Sequence, residues 1–79
     1  MKPPRDLPGK ELIKCLCRRW GYAEVNRESS HVTLEASTPS KHRVTVPTHD
    51  ALKVGTLTNI LNSVSRHKGV SRDAILRSL

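Results

Sequence analysis

The chain has 79 residues, which is enough for one small domain and excludes a second hydrophobic core. Hydrophobic residues make up 35% and aromatic residues 3%, so we expect a thin aliphatic core built around the single Trp20. The net charge of +7 is uneven, with seven basic and two acidic side chains in residues 37–79. A basic half of this kind favours a polyphosphate partner such as a nucleic acid, or else an acidic protein.

The cysteines and the absence of targeting signals indicate the compartment. Cys15 and Cys17 lie too close together in a predicted helix to form an unstrained disulfide. A single C-x-C also falls short of a zinc site, so we expect two small apolar residues in a reducing compartment. The chain shows no signal peptide and no membrane-spanning run, which predicts a cytoplasmic protein.

The first part of the chain divides into a lead-in and a helix. Residues 1–8 are rich in proline and predict a disordered lead-in to a single domain over residues 9–79. From Lys10 the apolar spacing becomes helical, and Gly21 stands where a glycine ends a helix. The apolar stripe of this helix consists of Leu12, Ile13, Leu16 and Trp20.

Three short alternating segments follow, and each is typical of a strand with one apolar face. The first covers Tyr22 to Arg27, with Ala23 and Val25 predicted to face inward. The second is His31–Ala36, and the third runs from His42 to a proline that stops it. The polar turns between them are short, which indicates an antiparallel meander.

The rest of the chain is predicted to be helical. A second helix begins at Gly55 and ends at Gly69, and Ser71 caps a short third helix. One sheet has one apolar face, so both longer helices must pack on it. The predicted fold is therefore α+β, an α-β-β-β-α arrangement with a short C-terminal helix, like that of double-stranded-RNA-binding domains.

The opposite, solvent-exposed face of the sheet carries His31, Thr33, Arg43 and Thr45. Cleavage of RNA without a metal needs a base for the 2′-OH proton and an acid for the leaving 5′-oxygen. Histidine suits either role because its unperturbed pKa is about 6.5. From the residues alone, an exposed histidine with no catalytic role is an equally good interpretation of His31.

The other three histidines have simpler interpretations. His42 shares the parity of the core face, which predicts a partly buried structural residue. His49, in the loop beside Asp50, is expected to cap the next helix, and His67 to complement the dipole at a helix end. Their scatter along the chain, without a carboxylate cluster, indicates no metal site.

Four stretches of the chain resemble the HicA toxins, small ribosome-independent messenger-RNA interferases of toxin–antitoxin pairs. Residues 9–14 are similar to the family's opening helix, and residues 20–22 to its usual Gly-aromatic exit. Ser29-Ser30-His31 lies where the family has Gly-Ser-His. The closing strand and second helix are similar in residues 43–47, 53, 55–57 and 60–61, and the likeness runs from about Gly9 to Leu79.

The resemblance implies an endoribonuclease in which His31 is the general acid or base, with a HicB-type antitoxin as its inhibitor. No cofactor and no metal are expected. Arg66 and Lys68 either extend the phosphate-binding track or belong to a solvated face. The residues expected to contact RNA are Ser30, Lys41, Arg43, Thr45 and Lys53.

Ser29 departs from the family pattern, which usually has glycine there. At a position of positive φ, serine would carry a strain that glycine does not, and activity would be weakened or lost. An alternative function is therefore a catalytically inactive RNA-binding domain of the same fold. A third possibility is a protein-interaction domain whose basic face docks an acidic antitoxin.

Overall fold

The computed structural model describes residues 6–79. Within this range the chain forms three helices and one sheet, in the predicted order. This arrangement confirms the α+β class with an open three-stranded antiparallel sheet. The elements are α1 (Gly9–Arg19), β1 (Tyr22–Glu28), β2 (His31–Ala36), β3 (His42–Pro47), α2 (Val54–Lys68) and α3 (Arg72–Arg77).

The central strand of the sheet is β2, which pairs antiparallel with both β1 and β3. His31 lies opposite Pro47 at one end of the β2–β3 hairpin, and Ala36 lies opposite His42 at the other end. Successive side chains of a strand alternate between faces. His31 and His42 therefore occupy opposite ends of the hairpin and opposite faces of the sheet.

Strand β1 presents a different residue to the core from those predicted. Tyr22 is buried, with 3% of its surface exposed, whereas Ala23 and Val25 are exposed. The prediction that Ala23 and Val25 face inward is therefore wrong. Tyr22 pairs with the buried Ala36 and shares its face, and the ladder register then shifts at a bulge around Val25.

The core lies between the helices and one face of the sheet. Its aromatic member is Tyr22, whereas Trp20 is only partly buried and caps the end of α1, where its Nε1 donates to Ser78 Oγ at 2.9 Å. The prediction of a core centred on Trp20 is wrong because that residue lies at the helix end. The largest fully buried side chains are Leu12, Leu16, Val32, Leu34, Val46, Leu57, Leu61, Val64 and Ile75.

The helix ends follow their local sequence signals. Gly21 has φ +73°, as a glycine after a helix should, and the Ser71 side chain accepts a hydrogen bond from Ala74 N at 3.1 Å. Helix α2 begins at Val54, just before the predicted Gly55. Across residues 6–79, none of the helices has the length and apolar character needed to cross a membrane.

The start of the domain is packed against the loop that follows β3. Of the predicted lead-in, residues 1–5 lie outside the described residues, while Leu7 packs against the core. The Leu7 carbonyl accepts a hydrogen bond from Leu52 N at 2.8 Å. This contact brings the N-terminal end of α1 beside the loop that contains His49.

Candidate active site on the open sheet face

His31 is the first residue of β2 and its side chain is exposed on the face of the sheet that the helices leave open. The turn before it contains Ser29, which has φ +57°. This left-handed conformation costs a residue with a Cβ about 1–2 kcal/mol. The position thus needs the positive φ anticipated from the sequence, and serine adopts it at an energetic cost.

A second histidine lies beside His31. The ring centroids of His31 and His49 are 6.4 Å apart with an interplanar angle of 66°, and both side chains are exposed. The predicted capping role of His49 is wrong, because the N-cap of α2 is Lys53 and has no side-chain cap. The hairpin register offered a signal for this proximity, since Pro47 lies opposite His31 and His49 follows two residues later.

The loop that carries His49 is held by backbone contacts from two directions. Both the backbone N and the Oγ1 of Thr48 donate to Ser30 O, at 2.7 and 3.2 Å. The backbone N of Gly9 donates to His49 O at 2.9 Å. A Cβ on Gly9 would lie 1.8 Å from Pro47 O, so only glycine permits this close approach.

The predicted cationic residues of the sheet lie at the other end of the open face. Arg43 Nε is 2.8 Å from Glu35 Oε2, and Lys41 Nζ is 3.7 Å from Glu35 Oε1. Glu35 is four residues along β2 from His31, a distance of about 13 Å in an extended strand. Arg43 and Lys41 are therefore not adjacent to His31, although the sequence suggested them as its companions.

The remaining predicted RNA contacts are spread around the same face. Thr45 is exposed and pairs with Thr33 in the middle of the hairpin. Ser30 is partly buried, and its carbonyl oxygen accepts the two Thr48 bonds. Lys53 is exposed at the start of α2, on the chain segment that follows His49. The open face thus carries a histidine pair at one end, threonines in the middle and, at the far end, two cationic side chains that are ion-paired with Glu35.

His42 is the structural histidine that its parity predicts. Its Nδ1 lies 3.0 Å from the Tyr22 hydroxyl and its Nε2 lies 3.1 Å from Ser63 Oγ, so both ring nitrogens have partners. Burial lowers the pKa of His42 below 6.5, and the nearby His67 and Lys68 lower it further. The neutral ring is therefore the form favoured here.

His67 lies beside His42, and together with Tyr22 these residues form a cluster that links β1, β3 and α2. The His67 ring stacks on His42 with centroids 4.3 Å apart and an interplanar angle of 15°. The Nε2 of His67 is buried and has no hydrogen-bond partner among the described residues. Lys68 Nζ lies 5.3 Å from the Tyr22 ring centroid and donates to Thr38 O at 2.8 Å, while Arg66 is exposed.

An open three-stranded sheet backed by helices, with exposed histidine and basic side chains, defines a small α+β domain. The model of the family described as the HicA toxin of bacterial toxin-antitoxin matches residues 9–69, which is more than half of the chain. The chain belongs to the HicA toxin family and is a toxin of a toxin–antitoxin pair. Searches of curated proteins and of solved structures found no match.

Proposed function

We propose that this toxin is a metal-independent endoribonuclease that cleaves messenger RNA in the cytoplasm, with His31 as general acid or base. The observation that carries the proposal is the exposed His31 at the end of the open sheet face. The HicA family membership supports it, because the resemblance of Ser29-Ser30-His31 to the family's motif implies RNA cleavage by the motif histidine.

The chemistry fits a histidine at this place. The 2′-oxygen of a ribose attacks the adjacent phosphorus, and the bond to the 5′-oxygen breaks. An imidazole can take the first proton or supply the second, which typically accelerates a reaction by about 10²–10⁴. An RNA strand on the open face reaches His31 without displacing any helix.

The conformation of Ser29 favours an active enzyme over an inactive RNA-binding domain. The turn before His31 has the left-handed residue that a glycine would supply, with φ +57° at Ser29. The serine reduces stability rather than changing the path of the chain into β2. His31 therefore keeps the position from which it can reach a bound phosphodiester.

The basic residues of the open face supply affinity for the RNA backbone. Because Lys41 and Arg43 lie about 13 Å along the sheet from His31, they would hold a neighbouring phosphate and not the one that is cleaved. Glu35 engages both cations, so an RNA phosphate must compete with that carboxylate. Binding of this type weakens steeply as salt is added.

The partner that inhibits the toxin is proposed to be a HicB-type antitoxin. A net charge of +7 favours an acidic-leaning partner that covers the His31 face. Such a partner would block RNA entry and would also stabilise the folded toxin by mass action. An acidic protein encoded beside this chain would support the assignment.

The test compares the wild-type protein with His31→Ala and His31→Gln in cells and in solution. We expect the wild type to arrest growth and degrade RNA, and the purified protein to cut a defined RNA in EDTA. Both variants should lose at least about 100-fold in cleavage rate. Circular dichroism and urea unfolding check that the variants are folded, and Ser37→Ala, on an exposed turn, serves as the control substitution.

The alternatives give different results in the same experiment. A catalytically inactive RNA-binding domain would retain RNA at low salt and leave it intact over hours, with or without Mg²⁺. A protein-interaction domain would fail to retain RNA even at low salt. If His31→Ala cuts RNA as fast as the wild type, the proposed mechanism is wrong.

A further inference from the structure

We propose that His49 is the second acid–base residue of the site and acts with His31 on one phosphodiester. This inference rests on the ribonuclease function proposed above. RNA cleavage moves two protons, one from the 2′-hydroxyl and one to the 5′-oxygen. A single imidazole cannot perform both transfers in one step, so the site needs a partner for His31.

The distance between the two rings suits this role. A general acid or base must come within about 2.6–3.2 Å of the oxygen that it serves. The His31 and His49 centroids are 6.4 Å apart, and the rings meet at 66° instead of stacking. Each ring can then reach a different oxygen of one phosphodiester. The stacked His42 and His67 rings, 4.3 Å apart, leave no such space.

The backbone holds His49 in this place before any substrate arrives. Thr48 is tied to Ser30 through its backbone N and its side chain, which extends the hairpin beyond β3. The Gly9 backbone then fixes the His49 carbonyl at 2.9 Å. A loop whose first two residues are held in this way lowers the entropy cost of aligning the catalytic groups.

The proton transfers balance between the two histidines. The neutral ring of the pair takes the 2′-OH proton while the 2′-oxygen bonds to phosphorus. The protonated ring gives its proton to the 5′-oxygen as the phosphorus–oxygen bond breaks. The products are a 2′,3′-cyclic phosphate and a 5′-hydroxyl, and the pair is left with exchanged protonation states that solvent restores.

Glu28 is the competing candidate for the second group. It lies directly opposite His31 on β1, so its exposed carboxylate shares the face of that histidine. A carboxylate can act as a base, whereas an imidazole can act as either base or acid. His49 can supply either proton transfer, which is why we assign the role to it.

The experiment measures cleavage of a short RNA by the wild type, His31→Gln, His49→Gln and Glu28→Gln, with Asp50→Asn as the neighbouring control. We expect His49→Gln to lose at least about 100-fold in rate while RNA affinity and urea stability stay unchanged. Glu28→Gln and Asp50→Asn should retain most of the activity. The pH–rate profile of the wild type should be bell-shaped, and each histidine variant should lose one limb.

A second substrate assigns the two roles. RNA with sulfur in place of the bridging 5′-oxygen has a leaving group that needs no proton. The variant that lacks the acid should therefore recover most of its rate on this substrate, and the variant that lacks the base should not. Recovery by one histidine variant, with an inactive second histidine variant that does not recover, supports the pair.

Three results would overturn the inference, and they are distinguishable. If His49→Gln keeps at least half of the wild-type rate while His31→Gln is inactive, the role of His49 is wrong and the ribonuclease function stands. A large loss in Glu28→Gln alongside an active His49→Gln would give the role to the carboxylate. If the wild type itself cuts no RNA, the proposed function and this inference fail together.

Discussion

The molecule contains two histidine pairs at opposite ends of the same hairpin, and their surroundings differ in every respect that matters for chemistry. His31 and His49 are exposed on the open face, 6.4 Å apart and not stacked. His42 and His67 are stacked at 4.3 Å on the core side of the sheet. The same residue type thus forms the proposed reactive site at one end and a structural joint at the other.

The difference lies in what each ring contacts. Both nitrogens of His42 meet hydroxyl groups, one from Tyr22 on β1 and one from Ser63 on α2. His31 and His49 have only each other as a ring contact among the described residues. A ring whose nitrogens already have partners is held in place, whereas one whose nitrogens face solvent is available to a substrate.

The largest expected effect comes from breaking the support of the exposed pair with Gly9→Ala. The new Cβ would meet Pro47 O at 1.8 Å, so the end of β3 and the loop with His49 must move. Overpacking of this kind costs about 3 kcal/mol of the free energy of unfolding. Urea denaturation measures the loss, and RNA cleavage by the remaining folded protein should fall as well.

Gly55→Ala is the matched control for that substitution. Gly55 lies in α2, and a Cβ there meets nothing within 4 Å. Replacing a helical glycine by alanine stabilises by up to about 1 kcal/mol. The same chemical change should therefore have opposite signs at the two positions. An equal loss at both would show that the Pro47 contact is not the cause.

A smaller effect is expected at the stacked pair of His42 and His67. His42→Ala removes two hydrogen bonds and the stacking partner of His67, which should cost about 2 kcal/mol of the free energy of unfolding. Cleavage per folded molecule should stay near the wild-type rate. His31→Ala should show the reverse pattern, with stability within about 0.5 kcal/mol of the wild type because the ring is exposed. Loss of activity in a folded His42→Ala protein would contradict the division of roles.

Periodicity in the sequence was enough to predict most of the fold. The alternation in β2 and β3 and the helical spacing in α1 and α2 each identify one buried face, and one sheet then requires helices on that face. Strand β1 escaped this argument because it carries a bulge, so Val25 is exposed although it is apolar. Its inward residue, Tyr22, is identified only by the pairing with Ala36.

The candidate site was only half predictable for a similar reason. Strand parity predicts that His31 is exposed, and the place of Ser29 in the motif predicts the strain at that residue. The proximity of His49 depends on the hairpin register and on the Gly9 contact, and the latter joins residues 40 positions apart. The ion pairs of Glu35 likewise depend on which residues face each other across β2 and β3. Tertiary contacts of this kind leave little trace in a single sequence.

A stabilising change of about 1 kcal/mol is expected from Ser29→Gly. Glycine adopts φ +57° without the steric cost that serine carries, although it loses some entropy on folding. His31 should stay in the same place, so the cleavage rate should equal or exceed that of the wild type. Ser37→Gly, on a turn residue with no positive φ, should be neutral or destabilising in the same urea titration. A destabilised Ser29→Gly protein would contradict the strain at this turn.

The smallest expected effect is the pH dependence of stability that His42 contributes, because its ring keeps partial access to solvent. Its pKa in the folded protein lies below the value of 6.5 that applies to the unfolded chain, through burial and then through His67 and Lys68 of α2. The unfolded state therefore binds more protons, and the free energy of unfolding falls as the pH drops below about 6.5 toward the lowered pKa. His42→Gln keeps a polar side chain that does not titrate, so its stability should fall less between pH 7.5 and 5.5. Urea midpoints of both proteins across this range measure the difference, in which the contributions of groups distant from the stacked pair and Lys68 cancel. Parallel curves would mean that protonation of His42 does not affect the free energy of unfolding. The stacked pair and the exposed pair would then differ only in their contacts.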